Sequence, residues 1–360
     1  MVAHSTEVGG STPGVACRAV VALATGLLAL GLSRCGGNTS LDAFPVETSV
    51  ERVGTLDVGS LGLPFRGGRL IQILAAGPDS LYATAADPAQ VLRLGLDGTV
   101  RWATDGSDSA SGKFQGPWLR LSRSADGLIL ADGGSRRVVR LSKDGAIVGE
   151  AALTAAFGAV GAAERNVFAY PNATGYLFDV LDGDLRYAKS LVPLPGATDQ
   201  VTPMGCLLLD DPKGGVIALW NPGRKVFHFG SDGRPTGEFT IDPPDLVADL
   251  ALRTRKVEET AKSQGHRGLV NPFVDFLRDG QGRLGALYVF ENGTATTGSQ
   301  GAASPTARDA AIYRFSPEGR AVDVIRGLGE VGGAAFLGEG LVGLEPRSNR
   351  IIRFRLKEAR

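Results

Sequence analysis

A short acidic loop, residues 105–109, has the residue types that bind a hard cation. It consists of Asp-Gly-Ser-Asp-Ser, and calcium prefers clustered carboxylate, hydroxyl and carbonyl oxygens. The loop lacks the alternating acidic order and the final Glu of an EF-hand. Turn formation explains the same composition, because Asp, Ser and Gly all favour tight turns. The sequence therefore predicts no resident cofactor, with calcium as the one that stays possible.

The other reactive residues are sparse and do not form a catalytic pattern. Segment 327–332 spells G-x-G-x-x-G, but the apolar run 334–340 that follows predicts a strand and a turn rather than the helix that a dinucleotide site needs. The sequence contains no G-x-S-x-G, H-E-x-x-H or P-loop motif. Beyond the N-terminal segment the chain has His228, His266 and the single thiol Cys206, too few and too separated for a zinc site. We therefore lean against an enzyme.

The composition of the chain indicates many tight turns between short apolar segments. The 360 residues include 51 Gly and 19 Pro, while hydrophobic residues make up 43%. No collagen-like period is present, and the hydrophobic content is too high for a disordered chain. Lys+Arg and Asp+Glu are both 38, so no basic surface for nucleic acid is implied. The pattern favours an all-β protein.

The N-terminal segment has the pattern of an export signal. Residues 19–32 form an uncharged apolar run that follows Arg18. A positive residue before an apolar run of this length is typical of a signal peptide, and the run is short for a membrane-spanning helix. We predict that residues 1–35 are a signal peptide and that the protein is exported.

The end of this segment resembles a bacterial lipobox. Residues 32–38 read Leu-Ser-Arg-Cys-Gly-Gly-Asn, so Cys35 stands at the position that is acylated in lipoproteins, and Arg34 stands where the pattern has Gly, Ala or Ser. The resemblance implies a lipid on Cys35, attachment to a membrane, and a location in the periplasm or at the outer membrane. Residues 36–49, rich in small and polar residues, are predicted to be a flexible linker.

The clearest internal repeat runs from Gly112 to Gly145. It contains three short apolar strands with turns at Asp-Gly pairs, which are strong hairpin signals because Gly adopts a positive φ at no steric cost. This unit resembles the NHL repeat, whose G-x-F-x-x-P, D-G, A-D and R-(I/V)-x-V positions match Gly112, Phe114, Pro117, Asp126-Gly127, Ala131-Asp132 and Arg137-Val138-Val139. The resemblance implies a β-propeller in which Asp132 fixes its loop through hydrogen bonds to the backbone.

The same outline recurs six times along residues 50–360. The third strands of the copies are alike: residues 91–94, 138–141, 176–179, 226–229, 312–315 and 351–354. The last copy lacks a fourth strand, and residues 51–58 form a strand without a repeat of its own. We predict a six-bladed β-propeller in which this N-terminal strand closes the last blade and removes the free sheet edges. A helical insertion at 245–264 and a mobile loop at 292–308 interrupt the ring.

A ligand site is expected at the mouth of the propeller channel. In the propeller enzymes that the chain resembles, gluconolactonase-like and strictosidine-synthase-like proteins, the site lies at the mouth of the central channel. The residues that we expect to contact a ligand in the corresponding loops are Arg66, Trp118, Trp220, Arg224 and Arg347, because aromatic residues and Arg dominate recognition surfaces. We predict a monomeric binding or scaffold module for a protein, peptide or glycan. The alternative is a calcium-assisted hydrolase, lactonase or lyase.

Overall fold

Short apolar runs form β-strands throughout the body of the chain, as the repeat pattern predicts. A computed structural model of the protein describes residues 39–41, 43–153, 157–163, 166–171, 176–193, 205–264, 270–291 and 308–357. All of these belong to one unit, Asn38–Arg360. The predicted signal peptide and Cys35 lie outside the described residues, and so does the predicted loop 292–308 except for Arg308, which begins a strand.

Two N-terminal strands precede four antiparallel meanders, each made of four consecutive strands. The N-terminal strands are β1 (Thr39–Leu41) and β2 (Glu47–Asp57). The first two meanders are β3 (Arg69–Gly77), β4 (Ser80–Ala86), β5 (Gln90–Gly95), β6 (Val100–Thr104), and β7 (Leu119–Ser124), β8 (Gly127–Asp132), β9 (Arg137–Ser142), β10 (Ile147–Ala152). The third and fourth are β11 (Phe157–Ala163), β12 (Asn166–Pro171), β13 (Tyr176–Leu181), β14 (Tyr187–Pro193), and β15 (Cys206–Asp210), β16 (Val216–Trp220), β17 (Lys225–Phe229), β18 (Pro235–Ile241). Each meander has the form of a propeller blade.

The remaining seven strands form one eight-stranded sheet together with β2. They are β19 (Phe273–Arg278), β20 (Leu284–Glu291), β21 (Arg308–Phe315), β22 (Ala321–Arg326), β23 (Gly333–Leu337), β24 (Gly340–Glu345) and β25 (Arg350–Lys357). Their order is β19-β20-β21-β22-β2-β25-β24-β23. The structure thus has four separate blades and one eight-stranded sheet, and the count of six blades stays a prediction. The sheet is continuous because β2 pairs on both edges, antiparallel with β25 and parallel with β22.

The pairing of β2 with the last strand is the ring closure that the sequence predicts. The first strands of the meanders and of the two halves of the large sheet contact one another in turn: β3 with β7, then β11, β15, β19 and β23, and β23 again with β3. Every residue of the second strands β4 and β8 is buried. The outer strands β6 and β10 are half-exposed. The result is an all-β, propeller-like arrangement around a central channel.

The helix α1 (Pro244–Gln264) occupies the position of the predicted insertion and begins one residue earlier. It follows β18 and precedes β19. Leu246 and Leu250, one turn apart, lie in the same hydrophobic cluster as Tyr288 and Tyr313 of β20 and β21. Among the residues that the structure describes, no helix is long and apolar enough to cross a membrane.

The predicted linker 36–49 contains ordered strand segments. Strand β1 pairs in parallel with β18, Thr39 opposite Phe239, and β2 begins at Glu47. The outer strands β18 and β22 would each end their sheet with an unpaired backbone edge. Three residues of each edge pair instead with the N-terminal strands, β18 with β1 and β22 with β2. Strand structure therefore extends further towards the N-terminus than the composition indicates.

Candidate functional site

A cavity of about 280 Å³ lies at the end of the channel where the first strands begin. Ile71 of β3, Arg120 of β7 and Val274 of β19 each stand within three residues of the start of their strands, and all three line the cavity. The cavity is also lined by Gly332, which directly precedes β23. The cavity is therefore the mouth of the central channel.

Arg120 is the charged residue in the floor of this mouth. Its neighbours in β7, Leu119 and Leu121, are buried, and Arg120 also lines a smaller cavity of about 60 Å³ that lies further along the channel. The side-chain amide of Gln72 fixes this part of β7, because it donates to Leu121 O at 3.1 Å and accepts from Leu121 N at 2.8 Å. A neighbouring blade thus holds the backbone that carries Arg120.

Asp275 of β19 is the acidic residue whose charge acts on Arg120. It is buried, and its Oδ1 and Oδ2 accept hydrogen bonds of 2.9 Å from Phe276 N and Ala334 N. Burial raises the pKa of Asp275 to about 6, although the two backbone donors and Arg120 favour its ionised form. Burial likewise lowers the pKa of Arg120, and Asp275 opposes that shift.

Arg253 of helix α1 reaches the same mouth from the side. Its Nη1 donates to Val289 O at 3.2 Å, and its guanidinium lies 5.7 Å from the centre of the Tyr288 ring. One turn earlier in the helix, Asp249 accepts a hydrogen bond from the Tyr288 hydroxyl. Burial and the nearby Asp249 raise the pKa of Tyr288, so this hydroxyl stays a proton donor.

The start of helix α1 is fixed by a second set of polar contacts. Asp245 accepts hydrogen bonds from Tyr313 Oη at 2.8 Å and from Arg326. Burial opposes ionisation of Asp245, but the bonds from Arg326 and Tyr313 outweigh burial and lower its pKa. Asp245, Asp249 and Arg253 are spaced four residues apart and lie on one helix face. This face aligns the helix on β20 and β21 and places Arg253 at the channel.

Arg347 and Glu330 complete the rim of the mouth. Arg347 lies in the loop between β24 and β25, and its Nη1 is 3.4 Å from Oε1 of Glu330, which precedes β23. The side chain of Arg347 is 56% exposed, so this ion pair is weak and can exchange partners. Arg347 is a predicted ligand contact, and it lies at this cavity.

The other four predicted contacts lie elsewhere. The Arg66 guanidinium lies 2.8 Å from Asp105 Oδ2, and Trp118, which is 51% exposed, precedes β7. Arg224 has a φ of 52° in the loop between β16 and β17, and its Nε donates to Asp242 at 2.7 Å. The Trp220 ring packs against the hydrophobic cluster of blades three and four. None of these four lines the mouth cavity.

Sequence reasoning missed Arg120, Arg253 and Glu330. A signal for Arg120 was present, since it is a charged residue between two leucines of a strand that should be buried. Arg253 gave no such signal, because a charged residue on an amphipathic insertion normally faces solvent. Glu330 lies within the G-x-G-x-x-G segment, where Gly327 and Gly329 have positive φ and a strand follows. This segment is a loop between β22 and β23, and β23 is the strand that we predicted after it.

The acidic loop around Asp105 is held by protein groups. Asp105 accepts from Ser107 N at 3.1 Å, and Lys113 Nζ lies 3.1 Å from its Oδ2, beside Arg66. Hydrogen bonds from Ser107 and Lys113 lower the pKa of Asp105 despite its burial. Within the described part of the chain, no three His, Cys, Asp or Glu side chains group as metal ligands. Burial raises the pKa of the Cys206 thiol, which is enclosed in the core.

Comparisons with known proteins support the fold. No protein-family model matches the chain, and no curated protein matches it. One similar solved structure is a member of the DUF4221 family from Bacteroides vulgatus, with 9% identity, a TM-score of 0.56, and coverage of 86% of this chain and 98% of that one. Another is virginiamycin B lyase from Staphylococcus aureus, an inactive variant with quinupristin, with 12% identity, a TM-score of 0.51, and coverage of 84% and 99%.

These similar structures are β-propellers, and at such low identity they show the fold and nothing about activity. Membership of the NHL-repeat family stays a prediction, because no family model matches. The chain has an all-β, propeller-like fold with one long helical insertion among its described residues.

Proposed function

We propose that this protein is a non-catalytic binding or scaffold propeller whose ligand site is the mouth of the central channel. The observation that carries the proposal is the convergence of Arg120, Arg253 and Arg347 on one cavity with aliphatic walls. These three residues come from a first strand, an inserted helix and a loop that are far apart in sequence. A concave site with a few placed polar groups is the usual form of a binding site. The ligand is a protein, peptide or glycan.

The ring has six NHL-like blades in this proposal. Strands β19–β22 form the fifth blade, and β23–β25 with β2 form the sixth. The unbroken ring of six first strands and the dual pairing of β2 support this count. A shared outer strand would join blades five and six at their edges and give the eight-stranded sheet that is observed.

Export and lipid attachment at Cys35 belong to the same proposal. The apolar run 19–32 and the lipobox-like residues 32–38 support it. A lipid would hold the propeller at the bacterial cell envelope, in the periplasm or at the outer membrane. Mass spectrometry of the mature protein from the membrane fraction tests this, with diacylglycerol on Cys35 as the expected modification. A soluble product cut at another residue would contradict it.

The binding proposal is tested with glycan and peptide arrays. We expect the full propeller to bind a restricted set of compounds, and the double variant Arg253→Gln/Arg347→Gln to lose most of that signal. The matched control is Arg101→Gln/Arg320→Gln, which removes the same charge from outer positions away from the cavity. If the control loses binding as much as the test variant, or if neither array gives a specific signal, the proposed site is wrong.

The alternative, a calcium-assisted hydrolase, lactonase or lyase, makes an opposite prediction for metal. An enzyme of this kind would gain several degrees of thermal stability from calcium and lose it with a chelator, since a ligand that binds the native state stabilises it. A binding module without a metal site would melt at the same temperature in both solutions.

A further inference from the structure

We propose that the channel mouth binds the C-terminal carboxylate of a peptide, and that Arg120 is the residue that contacts it. This rests on the proposed function, since it names the ligand class of the same site. The arrangement that supports it is a half-buried guanidinium without a fixed partner, two further guanidiniums at the rim, and an aliphatic wall.

The Arg120 guanidinium has no fixed partner in the part of the protein that the structure describes. No hydrogen bond or ion pair joins it to another of the described residues, although it carries five N–H donors. The charge of Asp275 favours ionised Arg120, but the Asp275 oxygens accept from Phe276 N and Ala334 N, and no direct bond to Arg120 is formed. Arg120 is only partly buried, so its N–H groups are accessible to a ligand from the cavity. An incoming carboxylate would satisfy two N–H groups of Arg120 at once, in the bidentate geometry that guanidinium favours.

Positive charge predominates around the cavity. Arg120, Arg253 and Arg347 line it, and Glu330 is the acidic residue among the described residues that do so. Arg253 uses Nη1 for Val289 O, which leaves its other N–H groups for a ligand. Arg347 is held by Glu330 through a weak pair at 3.4 Å. The surplus of positive charge favours an anion over a neutral or basic ligand.

The apolar wall of the cavity favours a peptide over an acidic sugar. Ile71, Val274, Val289, Val331 and Pro346 supply its apolar surface. No aromatic side chain is among the described residues that line this cavity, so a flat face on which a sugar ring could stack is missing there. Branched aliphatic side chains instead suit the side chain of an apolar C-terminal residue.

The size of the cavity sets the length of chain that it admits. Its volume of about 280 Å³ is just below the usual range for ligand sites, and the channel beyond Arg120 offers about 60 Å³. The narrow part has room for a terminal carboxylate but not for a continuing chain. A peptide would therefore enter with its C-terminus first, one or two residues deep, and leave the rest outside.

The test measures fluorescence anisotropy with two labelled peptides, Gly-Ser-Gly-Ser-Gly-Val with a free carboxylate and the same peptide as its amide. We expect the free acid to bind at least about tenfold more tightly than the amide, because only the acid forms charge-assisted bonds. Arg120→Gln should abolish this difference, and Arg120→Lys should restore part of it by keeping the charge. The control Arg320→Gln removes a charge from an exposed turn residue and should bind like the unchanged protein.

Several results would overturn the proposal. Equal affinity for acid and amide would do so, as would Arg120→Gln with an unchanged preference, or galacturonate binding that depends on Arg120 while the peptide acid does not bind. If Arg120→Gln fails to fold, as judged by circular dichroism, Arg253→Gln and Arg347→Gln must each reduce the preference instead, and their failure to do so contradicts the proposal. Array ligands that need Arg253 and Arg347 but ignore Arg120 would leave the proposed function intact and reject only this inference.

Discussion

The carboxyl group of Asp275 makes the stability of the channel depend on pH. Burial raises its pKa from 3.8 to about 6. Between these values the native state keeps the proton that the unfolded chain has released, so the free energy of unfolding falls as the pH rises. The full penalty is present above about pH 6 and disappears below about pH 4. A shift of this size corresponds to about 3 kcal/mol.

Comparison with Asp275→Asn isolates this effect. We expect the unfolding free energy of the unchanged protein, minus that of the variant, to fall by about 2–3 kcal/mol between pH 4 and pH 7 in urea titrations. The variant also leaves one backbone N–H without an acceptor, but that cost is the same at both pH values and cancels. A difference that does not change with pH would show that Asp275 does not titrate in this range.

Arg137 is the centre of a buried polar network in the second blade. Its Nε lies 3.1 Å from Asp132 Oδ2, its Nη1 is 3.2 Å from Glu150 Oε2, and its Nη2 donates to Gly112 O at 2.6 Å. Arg137→Ala should lower the unfolding free energy by about 3–5 kcal/mol, because it leaves the buried carboxylate of Asp132 without its counter-charge. Arg101→Ala breaks an exposed pair with Asp79 and should cost about 1 kcal/mol or less. Similar losses in both variants would contradict the role of the network.

The repeat resemblance predicted the part of this network that the local sequence determines. Asp132 does fix its loop, since it accepts from the backbone N–H groups of Gln115 and Ser135, each at 3.3 Å. Glu150 also contributes to the network, from β10, the outermost strand of the blade. This contribution is not part of the repeat pattern. Arg120 shows the same limit, because strand alternation does not say which face meets the channel. That depends on contacts between first strands of different blades.

At the scale of elements, the turn between β9 and β10 of the second blade packs against the first blade. Gly145 has a φ of 83°, and its N–H donates to Ser142 O at 3.0 Å. The Trp102 ring from the first blade packs on this turn, so a Cβ at residue 145 would lie 2.6 Å from a ring atom. The Trp102 indole N–H also donates to Lys143 O at 3.1 Å. Asp144-Gly145 was predicted as a turn, but the Trp102 contact was not.

Alanine substitutions separate backbone strain from this contact. Gly112 has a φ of 78° with nothing within 4 Å of a Cβ, whereas Gly145 has a similar φ and the ring. We expect Gly112→Ala to cost about 1 kcal/mol from the positive φ alone. Gly145→Ala should cost at least about 1 kcal/mol more, because the ring must also move. If both variants lost the same unfolding free energy in chemical denaturation, the Trp102 ring would move aside at no measurable cost.

The bounds of helix α1 could be predicted from the sequence, but its position on the sheet could not. Its apolar spacing predicted residues 245–264, and the structure has Pro244–Gln264. Its position over β20 and β21 depends on Tyr288 and Tyr313, whose hydroxyls reach Asp249 and Asp245 across about 40 and 70 residues. Pairs so distant in sequence leave no periodic signal. The placement of Arg253 at the channel follows from them and could not be predicted.

For the whole molecule, β2 is the strand on which closure of the ring depends. It pairs with β25 from Ser49 opposite Lys357 to Asp57 opposite Arg350, and with β22 at residues 47–49. Thr48 also donates to the buried Asp323 at 2.5 Å. Without β2, the backbone edges of β22 and β25 would both be exposed, and exposed edges recruit other chains.

Two N-terminal truncations test this closure. A chain that starts at Glu47 keeps β2 and loses β1, the Phe44 ring that packs on Tyr313 and the Val46 carbonyl that accepts from Val324 N. We expect it to stay monomeric and to melt at a moderately lower temperature, because both edges of the large sheet that β2 covers stay paired. A chain that starts at Val58 should aggregate or melt about 10 °C or more lower, because two edges lose their partner and Asp323 loses Thr48. Size-exclusion chromatography with thermal melts compares the two. If the shorter chain stayed monomeric and equally stable, the ring would be held by the contacts between first strands, and β2 would be a covering strand rather than the closure.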